Sequence, residues 1–171
     1  MNLKYYLSKY FQNVILHIML VILIVISYSS FNFPGASEFM PNLNIMIIFY
    51  WSIYNPEKFP IYISIILSIL EDCLIGAPIG LNVVSNIFLY GLITSNRQIF
   101  VKEPFKFIWT GFAIFVFIAT ILKYILISII FKKIFPVSYP LMQLLIMIFL
   151  YPLMHIFFNK TNNLLFIKHA K

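Results

Sequence analysis

Charge is scarce in this chain. Asp, Glu, Lys and Arg make up only 10% of its 171 residues, while 62% are hydrophobic. A soluble domain of this length carries roughly a quarter charged residues to cover its surface, so water is excluded as the solvent and lipid fits. Acid is scarcer still: five Asp and Glu stand against twelve Lys and Arg, for a net charge of +7. The basic residues fall in short clusters between apolar runs, where they set topology and meet anionic headgroups. Clusters that short cannot track a phosphate backbone, which excludes nucleic acid as a partner. The single cysteine, Cys73, permits neither an intrachain disulfide nor a thiolate zinc cluster, and reads as a small buried hydrophobe. His17 and His155 stand in different apolar segments without a third ligand. No phosphate loop, HExxH or GxSxG pattern occurs, so no catalytic, cofactor or metal site is expected.

What is present is a series of apolar segments, at about 12–31, 41–54, 61–76, 80–95, 106–131 and 140–158. About 20 residues cross the hydrocarbon core upright, which the first, fifth and sixth segments supply. The other three are short and must thin the bilayer or enter it partway. The expected fold is an all-α integral membrane protein, a single transmembrane domain over 1–171 with six spans, or five with one re-entrant segment. The breaks are Phe33–Glu38, Asn55–Pro60 with prolines at both Pro56 and Pro60, Gly76–Gly80, Asn96–Glu103 and Lys132–Pro140. With both termini in the cytoplasm, Lys4, Lys9, Lys58, Arg97, Lys102, Lys106, Lys160, Lys168 and Lys171 lie inside. Only Lys132 and Lys133 lie outside, a discordant pair. The apolar run after Lys9 is too long for a signal peptide and reads as a retained first span. Tyr50, Trp51, Tyr54 and Trp109 are expected in interfacial aromatic belts.

The stretch from Ile61 to Ser95 carries the intramembrane polar groups. Glu71 and Asp72 lie about 17 Å along a helix that begins at Ile61. An ionised carboxylate at that depth costs at least about 2.5 kcal/mol and turns inward, paired or protonated. Ser64, Ser68, Asp72 and Gly76 recur every fourth residue, as do Asn82, Asn86, Tyr90 and Thr94, so each set forms one helix stripe. Joined by Gly76-Ala77-Pro78-Ile79-Gly80, the two helices form a hairpin with a polar seam, the expected functional surface. Lys123, in the fifth segment, either pairs with Asp72 or Glu71 or snorkels toward the interface near Lys132.

The same stretch resembles the rod shape-determining protein MreD family of bacteria. That family has a proline opening the second span, a proline turn after an aromatic-containing run, and a G-L-L-x-D-x-L-x-G-x-P-x-G-like motif. Here Pro41 and Pro56 take the first two places, and the motif runs from Ser68 to Leu81. Asp72, Gly76, Pro78 and Gly80 fall at family positions, while Ser68 replaces the opening glycine. The resemblance implies a non-enzymatic inner-membrane component of the cell-elongation machinery. Its implied partners are MreC, MreB filaments, a RodA-type glycosyltransferase and a class B penicillin-binding transpeptidase. It also implies a fold similar to substrate-binding subunits of energy-coupling transporters. The alternative reading is a small-molecule transporter or membrane substrate-binding subunit, which needs a polar cavity; a membrane enzyme would need more convergent acid–base groups than two carboxylates.

Overall fold

The structure, a computed structural model, describes residues 3–29 and 41–167. The Phe33–Glu38 break, Lys168 and Lys171 lie outside the described residues, as do the side chains of Lys4 and Lys9. Helices α1 (Leu3–Ser29), α2 (Leu43–Tyr54), α3 (Ile61–Ile75) and α4 (Leu81–Ser95) are followed by α5 (Arg97–Val101), α6 (Phe105–Phe131) and α7 (Ser138–Asn162). A π-helical turn, Asn163–Ile167, extends α7, and no strand occurs among the described residues. The six apolar segments thus each become a helix. Helix α1 begins well before the apolar run does, and α5 occupies a stretch expected to be a plain connection.

Among the described residues, three helices are long and apolar enough to cross a bilayer, in the windows Phe11–Tyr28, Phe105–Phe131 and Ser138–Phe166. Helices α2 and α4 are apolar but shorter. The long helices expose rows of large apolar side chains. Ile114, Phe117, Ile121 and Ile125 do so on α6, and Leu145, Phe149, Leu153 and Ile156 on α7. Such continuous rows are untenable in water and ordinary in lipid.

Helix α2 lies at the centre. Every residue from Asn44 to Ile53 is buried, as expected of a helix that is apolar all round. Against it pack Leu16, Leu20 and Ile24, the buried stripe of α1, and Phe112, Phe115 and Val116 of α6. The Phe49 ring meets Phe112, Phe100 and Tyr151 edge-on at 5.2, 5.9 and 5.7 Å between centroids. Phe112 and Tyr151 stack at 3.9 Å, joining α6 to α7. Tyr50 and Trp51, expected in an interfacial belt, are instead core residues at 1% and 0% exposure. Other helices pack around α2 on every side, leaving it no lipid-facing side.

The α2–α3 turn is tied from several helices at one end of the bundle. Arg97 Nε donates to the Ile53 carbonyl at 2.6 Å, answering one of the carbonyls that a helix C-terminus leaves open. Tyr90 Oη and His17 Nε2 donate to the carbonyls of Phe59 and Lys58 at 3.2 and 3.0 Å. Asn55 Nδ2 reaches Asn162 Oδ1 at 2.9 Å, and the Lys58 ammonium sits over the Phe166 ring. Lys58, Arg97 and the end of α7 therefore share one end of the bundle. The α3–α4 elbow and the α6–α7 connection share the other.

Pro152 lies inside α7 and has no amide to give the Ile148 carbonyl four residues back. Trp109 Nε1 of α6 donates to that carbonyl at 2.9 Å. The indole thus satisfies the group that the proline strands, and Trp109 is half-buried between helices rather than displayed in a belt.

At Gly111 the Phe100 ring of α5 lies directly against α6: a Cβ there would overlap it. Gly111→Ala should therefore lower stability by about 1–3 kcal/mol through overpacking. Gly91→Ala, whose Cβ would meet nothing within 4 Å, should leave it unchanged or raise it slightly. Thermal unfolding of both variants in detergent checks the contrast.

Candidate functional site

Helices α3 and α4 form the expected hairpin, and the motif residues build its elbow. Helix α3 ends at Gly76, which takes the left-handed conformation at φ 71°. Its N–H and that of Ala77 both return to the Asp72 carbonyl, the latter at 3.0 Å. This is how a glycine closes a helix C-terminus. Gly80, at φ 106°, opens α4, and L side chains disfavour both positions. Pro78 sits exposed in the bend with its carbonyl accepting from Leu81 N at 3.1 Å.

Asp72 closes the elbow. Its Oδ2 accepts from Gly80 N at 2.8 Å and its Oδ1 from Asn82 N at 3.1 Å. A carboxylate at the first turn of α4 satisfies amides that the helix itself cannot, and lies at the positive end of the helix dipole. The family-type spacing of aspartate, glycine, proline and glycine thus has a local mechanical reason: each of Asp72, Gly76 and Gly80 supplies a different part of one bend.

Glu71, one residue back, points into the bundle and is fully buried. Its Oε1 accepts from Tyr28 Oη of α1 at 3.1 Å and from Asn42 Nδ2 ahead of α2. Its Oε2 accepts from Asn44 Nδ2 at 2.8 Å. Asn42 also caps α2, its Oδ1 accepting from Ile45 N at 3.2 Å. Half-buried Pro41 stands just before that cap. Ser68 extends the network: its Oγ donates to the Ser64 carbonyl at 2.7 Å and accepts from Asn86 Nδ2 at 2.9 Å and Asn44 Nδ2 at 3.3 Å. One connected polar layer thereby joins α1, α2, α3 and α4.

The structure brings together Ser68, Glu71, Asp72, Gly76, Pro78, Gly80, Asn82 and Asn86. Pro56 lies apart from them, in the α2–α3 turn at the other end. The polar stripe of α4 stops short of its expected length. Tyr90 reaches away to Phe59, and Thr94 Oγ1 bonds back to the Tyr90 carbonyl at 2.8 Å. Lys123 is half-buried and feels the charge of Glu71, yet makes no hydrogen bond to either carboxylate among the described residues. Cys73, expected to be buried, is exposed, because the residue after Asp72 is turned about 100° away from the inward stripe. His155 packs among the rings of Tyr50, Tyr54, Phe105 and Tyr151, and among the described residues no cluster that could hold a metal occurs. Sequence reasoning missed Tyr28, Asn42 and Asn44 as partners of Glu71. The only advance sign was that Asn42 and Asn44 stand at the start of an otherwise mostly apolar helix.

These features define a helical membrane protein organised around a polar hairpin. The family model of the rod shape-determining protein MreD matches residues 8–161, nearly the whole chain. The chain belongs to the MreD family, and that membership carries a role in determining rod shape. No curated protein and no solved structure matches it significantly.

Asp72→Ala should remove two charge-assisted bonds and cost about 1.5–3 kcal/mol for each, whereas exposed Cys73→Ala should be neutral. Glu71→Leu should destabilise more than Glu71→Gln. The leucine leaves Tyr28, Asn42 and Asn44 without an acceptor, while glutamine keeps an oxygen for two of them. Thermal melts of the four proteins in one detergent give the ranking.

Proposed function

We propose that this chain is a non-enzymatic inner-membrane component of the cell-elongation machinery, linking MreB filaments and MreC to peptidoglycan synthesis. One observation carries the non-catalytic part of the reading: both intramembrane carboxylates are engaged by the chain's own donors. Asp72 holds backbone amides and Glu71 holds Tyr28, Asn42 and Asn44. Groups so engaged set the packing of four helices and present a fixed surface to neighbours. The family match supports the biological setting.

In this reading the chain is one transmembrane domain with six spans, α1 to α4, α6 and α7. Both termini lie in the cytoplasm, and the elbow faces the opposite side. MreC is the immediate partner. A RodA-type glycosyltransferase and a class B penicillin-binding transpeptidase are reached directly or through MreC. The architecture is also read as similar to substrate-binding subunits of energy-coupling transporters, which bears on fold and not on activity. The alternative, a substrate-binding subunit, draws support from a cavity beside the elbow lined by Asn82 and Lys123.

Depletion separates the two readings: the first gives round, swelling cells, the second an auxotrophy. Extraction in mild detergent should co-purify an MreC-like protein. Asp72→Ala and Gly80→Leu, at matched membrane levels, should restore rod shape poorly, and Cys73→Ala should restore it fully. Because His155 packs against four aromatic rings, Cys73 is the cleaner control. Equal rescue by all three variants would remove the hairpin from the functional surface.

A further inference from the structure

A cavity of about 810 Å³ opens between the α3–α4 elbow and the α6–α7 connection. That volume lies in the range of small-molecule sites. Its walls are mainly apolar, with Leu81, Phe131, Phe135 and Met147 among them. Two cations, Lys123 and Lys133, line it. Asn82 lines it as well: this residue is 1% exposed, and its Nδ2 has no hydrogen-bond partner. A buried amide donor without a partner is costly, and in a roomy site it points to an acceptor that arrives from outside. The nearest carboxylates are already engaged. Asp72 accepts from two backbone amides, and Glu71 from three side chains.

We propose that this cavity binds the phosphate headgroup of an anionic amphiphile, with Lys123, Lys133 and the Asn82 amide as its donors and the aromatic and aliphatic walls holding the adjoining chain. Two cations and a free amide select for an anion with several acceptor oxygens, and lysine serves as a point-charge ligand for phosphate. The apolar remainder selects for a ligand that also carries hydrocarbon. The same assignment gives a reason for the basic charge at the elbow end, which stands apart from the Lys58, Arg97 and Lys160 end. Lys133 is retained there to meet a ligand rather than to set topology. The inference does not rest on the partner reading above, and it is tested on the purified chain alone.

Native mass spectrometry of the full chain in a neutral detergent, titrated with dioleoylphosphatidic acid, should show one saturable bound lipid. Phosphatidylcholine of the same chains should bind at least about tenfold more weakly, a difference of about 1.4 kcal/mol. Lys133→Ala, in an exposed connection, should weaken binding without lowering the melting temperature, and Lys133→Glu should weaken it further. Asn82→Leu removes a donor that the fold does not use, so it should weaken phosphatidic acid binding while leaving stability intact. Lys102→Ala, exposed near the start of α6, should bind as the parent does. Equal retention of the two lipids, or phosphatidic acid binding unchanged in both Lys133 variants and in Lys123→Ala, would overturn the proposal. Inorganic phosphate competing as tightly as phosphatidic acid would overturn the amphiphile and assign the site to free phosphate.

Discussion

Two neighbouring carboxylates removed from water have to be met by donors, and the arrangement of four helices follows from where those donors come from. Glu71 and Asp72 are both fully buried. Adjacent residues on a helix point about 100° apart, so they cannot share one set of partners. Asp72 turns along the chain toward the start of α4 and bends the hairpin. Glu71 turns across the bundle and draws in α1 and the start of α2. The local bend and the tertiary layer are two outcomes of one demand, that a carboxylate taken out of water be met by donors.

The same demand explains the placement of a helix too short to span comfortably. Helix α2 has only 12 residues, and its ends would be poorly matched to a bilayer if it faced lipid. It is instead enclosed by protein along nearly its whole length. Its polar entrance is covered by Asn42 and Asn44 meeting Glu71, and its exit by Arg97. Between these ends the contacts are aliphatic and aromatic, with Ile45, Met46, Ile47 and Ile48 followed by Phe49, Tyr50 and Trp51 in the core. Without a hydrophobic driving force between helices in lipid, close ring packing and internal hydrogen bonds hold such a helix in place.

The hairpin was legible in the sequence because it is local. A four-residue period of small and polar residues, followed by glycine, proline and glycine, specifies two helices and a sharp bend with little outside help. The partners of Glu71 were not legible, since Tyr28 and Asn44 lie 43 and 27 residues away and nothing in periodicity pairs distant helices. Tyr50 and Trp51 of α2 were misplaced for a different reason. A tryptophan beside tyrosines at the end of an apolar run has the same composition in an interfacial belt and in a packed core, and only the neighbours decide. Lys123 was left between two alternatives, an ion pair with a carboxylate and a snorkel to the interface. In the structure it is half-buried at the wall of a cavity, with no hydrogen bond to either carboxylate among the described residues.

A helix interrupted by proline ordinarily gains a pivot, because one rung of its ladder is missing. In α7 the missing rung is replaced from next door, by the indole of Trp109. Bending at that point would therefore break a bond to a second helix and leave the Ile148 carbonyl unanswered, so the hinge that the proline would otherwise provide is held shut by a side chain from α6.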